Sequence, residues 1–292
     1  MPALSELRLR EATTGRLDRF VRAVGKNIGA PTANIVKGIL KGIMGMAARY
    51  DTVPSNPARD VHVHKVETAA IRALTLAESK AMRQHAEDEL ATRTTDQRLA
   101  KTGDARRMGG RNRSGVLLDI IDALIATGVR PGGVLAIRST RLELEVEVPS
   151  VRIDSTIMRI KGQGLVIQEN TKANDIRRLA LPQFAVDLFT RALQERQPNE
   201  WDVVFTSATG TLMDPRNLGH AWTKTFAGSD FAWVTPKTLR KTVATLIDAE
   251  HGSEKAARQL GHASDEMTRK HYIEPSKAAI DQRQTLSQFR DE

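Results

Sequence analysis

The 292-residue chain contains no cysteine. That absence excludes disulfides, thiolate nucleophiles and any zinc site built on cysteine. Seven histidines are scattered along it, none in an H-E-x-x-H pattern. His62 and His64 form H-x-H without a carboxylate cluster. Neither a metal nor a cofactor is therefore expected, and any phosphoryl chemistry would rest on side-chain cations. No segment approaches the roughly 18 apolar residues of a membrane span. The N-terminal "MPALSELRLREATTG" also lacks the apolar run of a secretion signal. A cytoplasmic protein with no membrane partner is expected. Tyrosine is scarce, with two in the chain. Acidic residues are in deficit, 35 against 44 basic ones, giving a net charge of +9. Such a balance says nothing of fold. It favours a polyanionic partner over a protein that is merely basic.

What is present organises into two parts. In "GRLDRFVRAVGKN", Leu17, Phe20, Val21 and Val24 recur on one face of a helix. "APTANIVKGILKGIMGMAARY" gives a second helix with Val36, Ile39, Leu40, Ile43 and Ala47 as its apolar face. Gly38, Gly42 and Gly45 weaken that helix and allow close approach of another helix or of a DNA backbone, of which helix packing is the preferred reading. "VPSNPARDV" then breaks the pattern. Up to Lys65 there are 11 Lys/Arg against 5 Asp/Glu, so six of the nine net charges sit in this small helical part. Clustered cations suit a phosphate backbone, because counterion release rewards them. A solvated basic face is the plainer alternative.

A second unit begins near Thr75, where "TLAE" reads as a capping box. "TRTTDQRLAKTGDARRMGGRNRSG" is polar and reads as a loop or a frayed helix end. "GVLLDIIDALIATGVR" is a core helix closed by Gly128. From Arg141 the period changes: "RLELEVEV" alternates as a half-buried strand should. "STIMRIKGQGLVIQE" is a strand pair around a glycine-containing turn, and "RRLALP" a third strand. "FAVDLFTRALQER" returns to helix, "DVVFTSATG" is a strand into a turn, and the remainder is helices separated at Gly252 and Gly261. The fold class expected is multidomain: an all-α N-terminal part, then a mixed, mainly helical unit with one small antiparallel sheet.

Four places collect cationic or nucleophilic groups, and each has an ordinary explanation when taken singly. Arg130, held by Pro131 in "ATGVRPGG", is either a helix-capping surface arginine or a cation on a short tether. Lys172, in the turn "ENTKAND", is either solvated or able to swing over a phosphate as an acid. In "TPKTLRKTVATLI", Lys237 and Arg240 lie about 60° apart on one helix face, anchored by Leu239, Val243 and Leu246. In "RQLGHASDEMTRKHYIEP", Gly261 ends a helix, His262 sits in the turn and Ser264 caps the next helix. Asp265 and Glu266 suit that helix's positive end, and Tyr272 closes the stretch. Together these groups fit one task. A phosphodiester attacked by tyrosine passes through a doubly negative transition state that fixed guanidinium groups stabilise. A lysine protonates the leaving oxygen. The tyrosine carries the phosphate covalently, so no external energy source is needed.

In these residues the chain resembles the tyrosine recombinases, specifically phage- and actinobacterial-type integrases. The motifs "ATGVRPGGVLAIR", "KGQGLVIQENTKANDIRRLALP", "VVFTSATGTLMDPRN", "TPKTLRKTVATLI" and "QLGHASDEMTRKHYIEP" appear in the family's order, from about Leu74 to Pro275. The resemblance implies a helical core-binding domain over 1–66, a linker over 67–74 and a catalytic domain with a C-terminal tail over 75–292. By it, Arg130 and Arg240 bind the scissile phosphate and Lys172 is the general acid, with Lys161 a weaker alternative. His262 hydrogen-bonds the phosphate, and Tyr272 is the nucleophile of a 3′-phosphotyrosyl link. The implied partners are double-stranded DNA attachment sites, three further copies in a tetramer passing through a Holliday junction, and a directionality factor, all in a bacterial cytoplasm. Three places depart from the pattern: Lys237 stands where histidine is usual, Gly133 where an acidic residue is usual, and the K-T of the sheet turn is offset at Thr171 and Lys172. The short N-terminus implies a form without arm binding, and "SKAAIDQRQTLSQF" a tail for contacts between protomers. The departures keep a second expectation open, a catalytically impaired DNA-binding regulator of the same fold. A topoisomerase-like relaxing enzyme is a third.

Overall fold

The computed structural model describes residues 4, 6–63, 71–99, 113–169, 176–196, 198–262 and 264–273. The chain divides into two compact units, Met1–Ala69 and Ala70–Glu292.

The first unit holds a 3-10 turn (Leu9–Glu11) and two helices, α1 (Thr14–Asn27) and α2 (Ala30–Arg49). The Thr13 hydroxyl accepts from the Arg16 amide and starts α1. Helix α1 buries Leu17, Val21 and Val24, with Phe20 beside them, as its spacing dictates. Helix α2 is turned relative to the expected face. It buries Ala33, Met44 and Ala47, with Val36 and Leu40 at the margin, and leaves Ile39 (56%) and Ile43 (49%) exposed. This helix is apolar on more than one side, so periodicity alone could not say which stripe meets α1. Nothing lies within 4 Å of where a Cβ would stand on Gly38 or Gly42. Close helix packing there is therefore not what those glycines serve among the described residues. The loop after α2 returns over the pair with Val53, Ala58 and Val61. It is pinned by the Asn56 amide, which donates to the Lys41 carbonyl at 2.9 Å, and by the His62 amide, which donates to Asp18.

The second unit opens with the expected capping box. The Thr75 amide donates to Glu78, and the Glu78 amide to the Thr75 hydroxyl, starting α3 (Leu76–Leu99). That helix continues to Leu99, through residues expected to be loop or frayed end. Helix α3 lies against α4 (Arg113–Thr127), where Arg83 forks onto Asp122 at 2.7 and 2.9 Å. Gly128 takes φ 64° to end α4, and a short α5 (Pro131–Leu135) follows. Five strands come next: β1 (Leu142–Glu143), β2 (Ser150–Ile153), β3 (Ser155–Ile160), β4 (Gly164–Glu169) and β5 (Arg177–Ala180). They form two antiparallel sheets, β1-β2-β5 and the hairpin β3-β4, where one sheet was expected. The change of partner falls at Asp154, which is buried between Arg141 and Arg152. The alternating "RLELEVEV" gives two strand residues only, and Val146 and Val148 stay exposed because no sheet face covers them. "DVVFTSATG" makes isolated bridges rather than a strand, with Val203, Val204 and Phe205 buried.

Helices α6 (Gln183–Glu195), α7 (Pro215–Phe226), α8 (Pro236–His251), α9 (Ser253–Leu260) and α10 (Asp265–His271) complete the unit. Helix α8 begins with a reciprocal capping box between Thr235 and Thr238 and has Pro236 in its first turn. Its inward face is Leu239, Arg240 and Ala244, and Leu246, expected to anchor it, is exposed. The core joins α3, α4, α6 and α7 around Phe189, Phe205, Trp222 and Phe226. Among the described residues no helix is long and apolar enough to cross a membrane.

Candidate active site

Arg240 is the centre of the site. It points inward from α8 and is 1% exposed. Burying a guanidinium requires nearly every donor to find an acceptor. Nη1 donates to the Gly128 carbonyl at 2.7 Å, and Nη2 to the Leu260 carbonyl at 2.8 Å. These are the carbonyl ends of α4 and α9, where helix dipoles are negative. Nη2 also meets His262 Nε2 at 2.8 Å. The Nε–H is buried and has no acceptor.

The sequence brings the other groups to this arginine by local rules. Gly261 takes φ 70° and ends α9, so the chain turns and presents His262. Ser264 caps α10 by accepting from the Met267 amide, with Asp265 and Glu266 in the first turn. Tyr272 closes α10, its amide bonded to the Thr268 carbonyl. The Tyr272 ring lies 4.5 Å from the His262 ring and 5.1 Å from the Arg240 guanidinium carbon, centroid to centroid and centroid to atom. Arg130, in extended conformation before Pro131, completes the cluster from the α4–α5 turn.

Electrostatics follow from this crowding. Burial first, and then the charges of Arg130 and Arg177, lower the Arg240 pKa to about 10 against the pull of Tyr272. Burial of the Tyr272 phenol opposes its ionisation. The charges of Arg240 and Arg130, with hydrogen bonds from both, outweigh burial and hold its pKa below the ordinary 10.0. Like charges gathered around one unfilled donor suit an anion, next to a tyrosine whose ionised form they favour.

Residues 111–279 match the model of the phage integrase family. The chain belongs to the phage integrase family. Membership places it among the tyrosine-type site-specific recombinases. Solved structures share its fold. The Tn1549 transposon integrase in complex with a circular intermediate DNA superposes with TM-score 0.73 at 17% identity, over 98% of this chain and 89% of that one. A lambda integrase dimer bound to a COC′ core site gives TM-score 0.59 at 13% identity, over 94% and 69%. The XerH recombinase bound to a palindromic difH substrate gives 0.63 at 17%, over 99% and 74%. No curated protein matches the sequence.

Within this family member, the residues singled out from sequence are placed unequally. Arg130, Arg240, His262 and Tyr272 come together. Lys237 is exposed on the first turn of α8. Lys172 lies outside the described residues, between β4 and β5, and Lys161 is exposed in the β3–β4 turn. Gly133 is buried where α5 lies on β3, and a Cβ there would come 2.6 Å from Val129 Cγ1. A side chain at 133 would have to displace Val129, and backbone carbonyls, not a carboxylate, hold Arg240. Two residues of the site went unread. Arg177 on β5 donates through Nε to the Gln259 carbonyl at 3.0 Å, and a Cβ on Gly261 would overlap its guanidinium. The signal was the pair Arg177–Arg178: consecutive strand residues face opposite ways, and Arg178 goes to Glu143. The second is Thr268, read only as part of the stretch before Tyr272; the Thr268 hydroxyl lies 2.6 Å from His262 Nδ1.

The His262 pKa is pushed from 6.5 to about 4, by burial first and then by Arg240, Arg130, Arg177 and His271. Between those values the unfolded chain binds a proton that the folded chain refuses. Stability is therefore full above about pH 6.5 and falls as pH drops toward 4. The ring is only half-buried, so screening reduces the loss to about 1–2 kcal/mol. Melting curves from pH 7 to 4 are expected to show this decline, and His262→Asn to flatten it by about 2–6 °C. An unchanged pH slope in the variant would count against the assignment.

Proposed function

We propose that the chain is an integrase that cuts and rejoins double-stranded DNA at attachment sites through Tyr272. The reading rests on one observation above all: a buried Arg240 whose Nε–H has no acceptor, beside Arg130 and facing Tyr272. The phenol oxygen attacks phosphorus and loses its proton. The bond from phosphorus to the 5′ oxygen breaks, and that oxygen leaves with a proton from Lys172. A 3′-phosphotyrosyl link results, and the 5′ hydroxyl of a partner strand reverses the step. Arg240 and Arg130 hold the non-bridging oxygens, worth most where charge develops. Lys237 adds a donor at the mouth, a role an exposed ammonium fills as a point charge. The basic helical segment 1–66 is the core-binding part, joined by the linker 67–74 to the catalytic part 75–292. Two rounds of exchange through a Holliday junction require four protomers on two sites, with a directionality factor choosing the outcome.

The test is a nicked attachment-site duplex incubated with the protein and run on a denaturing gel. A slow-migrating covalent protein–DNA species is expected, sensitive to protease. Tight binding without it would replace this reading by the DNA-binding regulator. Relaxation of any supercoiled plasmid would replace it by a topoisomerase-like enzyme.

A further inference from the structure

The last four carbonyls of α9 are all paired. A helix end leaves four such oxygens without partners in its own ladder. The Ala257 carbonyl accepts from the His262 amide at 3.0 Å, and the Arg258 carbonyl from the Gly261 amide at 3.2 Å, as a glycine turn provides. The other two oxygens go to arginines from distant elements. Gln259 accepts from Nε of Arg177 on β5 at 3.0 Å, and Leu260 from Nη2 of Arg240 on α8 at 2.8 Å. Two like charges share this end because the helix carbonyls concentrate negative potential there.

Arg177 also lies against the turn itself. A Cβ on Gly261 would stand 2.3 Å from its Nη1 and 2.8 Å from its Cζ. The residue it covers is the one that precedes His262. Strand β5 gives the arginine a fixed base, pairing with β2 from Ile153–Arg177 to Ser150–Ala180. The Gln259 side chain donates to the Thr127 carbonyl at 3.0 Å, so the same helix end is tied to α4 as well. We propose that Arg177 is a positioning residue that clamps the Gly261 turn to the sheet, and so fixes His262 and the Leu260 carbonyl beside Arg240. The clamp gives glycine at 261 a second reason besides its φ of 70°: any side chain there meets the guanidinium. Without Arg177 the Gln259 carbonyl loses its partner and the turn is held from one side only.

The role in strand cleavage rests on the recombinase reading above, but the clamp does not. Two measurements on the full chain separate them. In the first, covalent adduct formation is timed on the nicked duplex at saturating protein. Arg177→Met is expected to be about 10–100-fold slower, the size of loss that a small misplacement of a site causes. Arg177→Lys keeps the charge and a donor for Gln259 and should stay within about 5-fold of wild type. In a Gly261→Ala background, where the new Cβ has already displaced the guanidinium, Arg177→Met should cost less than about 3-fold more, because both changes break one contact. In the second, the histidine ring signals of 15N-labelled protein are followed from pH 7 downward, with His262→Asn identifying the resonance. The ring is faced by Arg240 from α8, Arg130 from the α4–α5 turn, Arg177 from β5, and His271 and Tyr272 from α10. Arg177→Met removes one of these cations and loosens the turn, so His262 should take its proton at a higher pH than in the wild type or in Arg177→Lys. A wild-type adduct rate in Arg177→Met, or costs that simply multiply in the double variant, overturns the proposal. So does an unchanged His262 titration in Arg177→Met. If the wild type forms no adduct at all, the recombinase reading fails, and the His262 titration still decides this one.

Discussion

Tyr272→Phe is expected to form no covalent adduct on the nicked duplex, a loss of about 10⁴-fold or more, as when a sole nucleophile is deleted. The change removes one oxygen and leaves the ring that covers His262 and Arg240. Binding to the same duplex should stay within about 3-fold and the melting temperature within about 2 °C, because the buried ring is kept and one hydroxyl alone is lost. The pattern matters more than the loss. A structural tyrosine would show its removal in stability first, since the residue is buried to 9% exposure. A nucleophile shows it in chemistry alone. A persistent adduct in the variant would move the covalent link to another residue and sink the assignment of Tyr272.

The second large effect is expected at Arg240→Lys. The charge remains, but an ammonium cannot reach the carbonyls of Gly128 and Leu260 and His262 Nε2 at once. The orphaned Nε–H disappears as well. Adduct formation should fall by about 10²–10³-fold, the usual effect of losing a fixed donor aimed at developing negative charge. Stability should also fall. A buried carbonyl left unpaired costs about 1–3 kcal/mol, partly offset by easing the repulsion with Arg130. A net loss near 2 kcal/mol lowers the melting temperature by about 4–8 °C for a unit of this size. Thermal melts and timed adduct gels check the two numbers separately. Wild-type rates in the lysine variant would show that charge alone suffices and that the fork does nothing.

The sequence made much of this site legible because its groups sit on local punctuation. Gly128, Gly261 and Ser264 are helix-end residues, and each fixes where Arg130, His262 and Tyr272 emerge. Helix α1 was legible because one face only is apolar. Helix α2 was not, because apolar residues surround it and the choice of stripe belongs to the residues it meets. Arg177 escaped for the opposite reason: a strand of four residues gives too short an alternation to say which arginine turns inward. Gly133 looked like a deficiency in the sequence. In the fold a Cβ there would meet Val129, four residues back, and the clearance that lets α5 sit on β3 belongs to the neighbouring Gly132, whose Cβ would stand 2.6 Å from the Ile157 carbonyl oxygen, a long-range contact that no local pattern encodes. The two sheets, rather than one, follow from Asp154, whose burial against two arginines interrupts the run from β2 to β3.

The acceptors that hold Arg240 have a genetic consequence. Two of the three are peptide carbonyls, those of Gly128 and Leu260, and no codon change deletes a peptide carbonyl. Where a carboxylate orients an arginine, a single substitution erases the partner. Here a substitution at Leu260 alters core filling but leaves the oxygen in place, and one at Gly128 acts through φ 64° and the crowding of Val243. Sequence drift around the site therefore works on its stability before it reaches its chemistry. Libraries that vary the exposed residues of α8 and α10 should retain the arginine's aim.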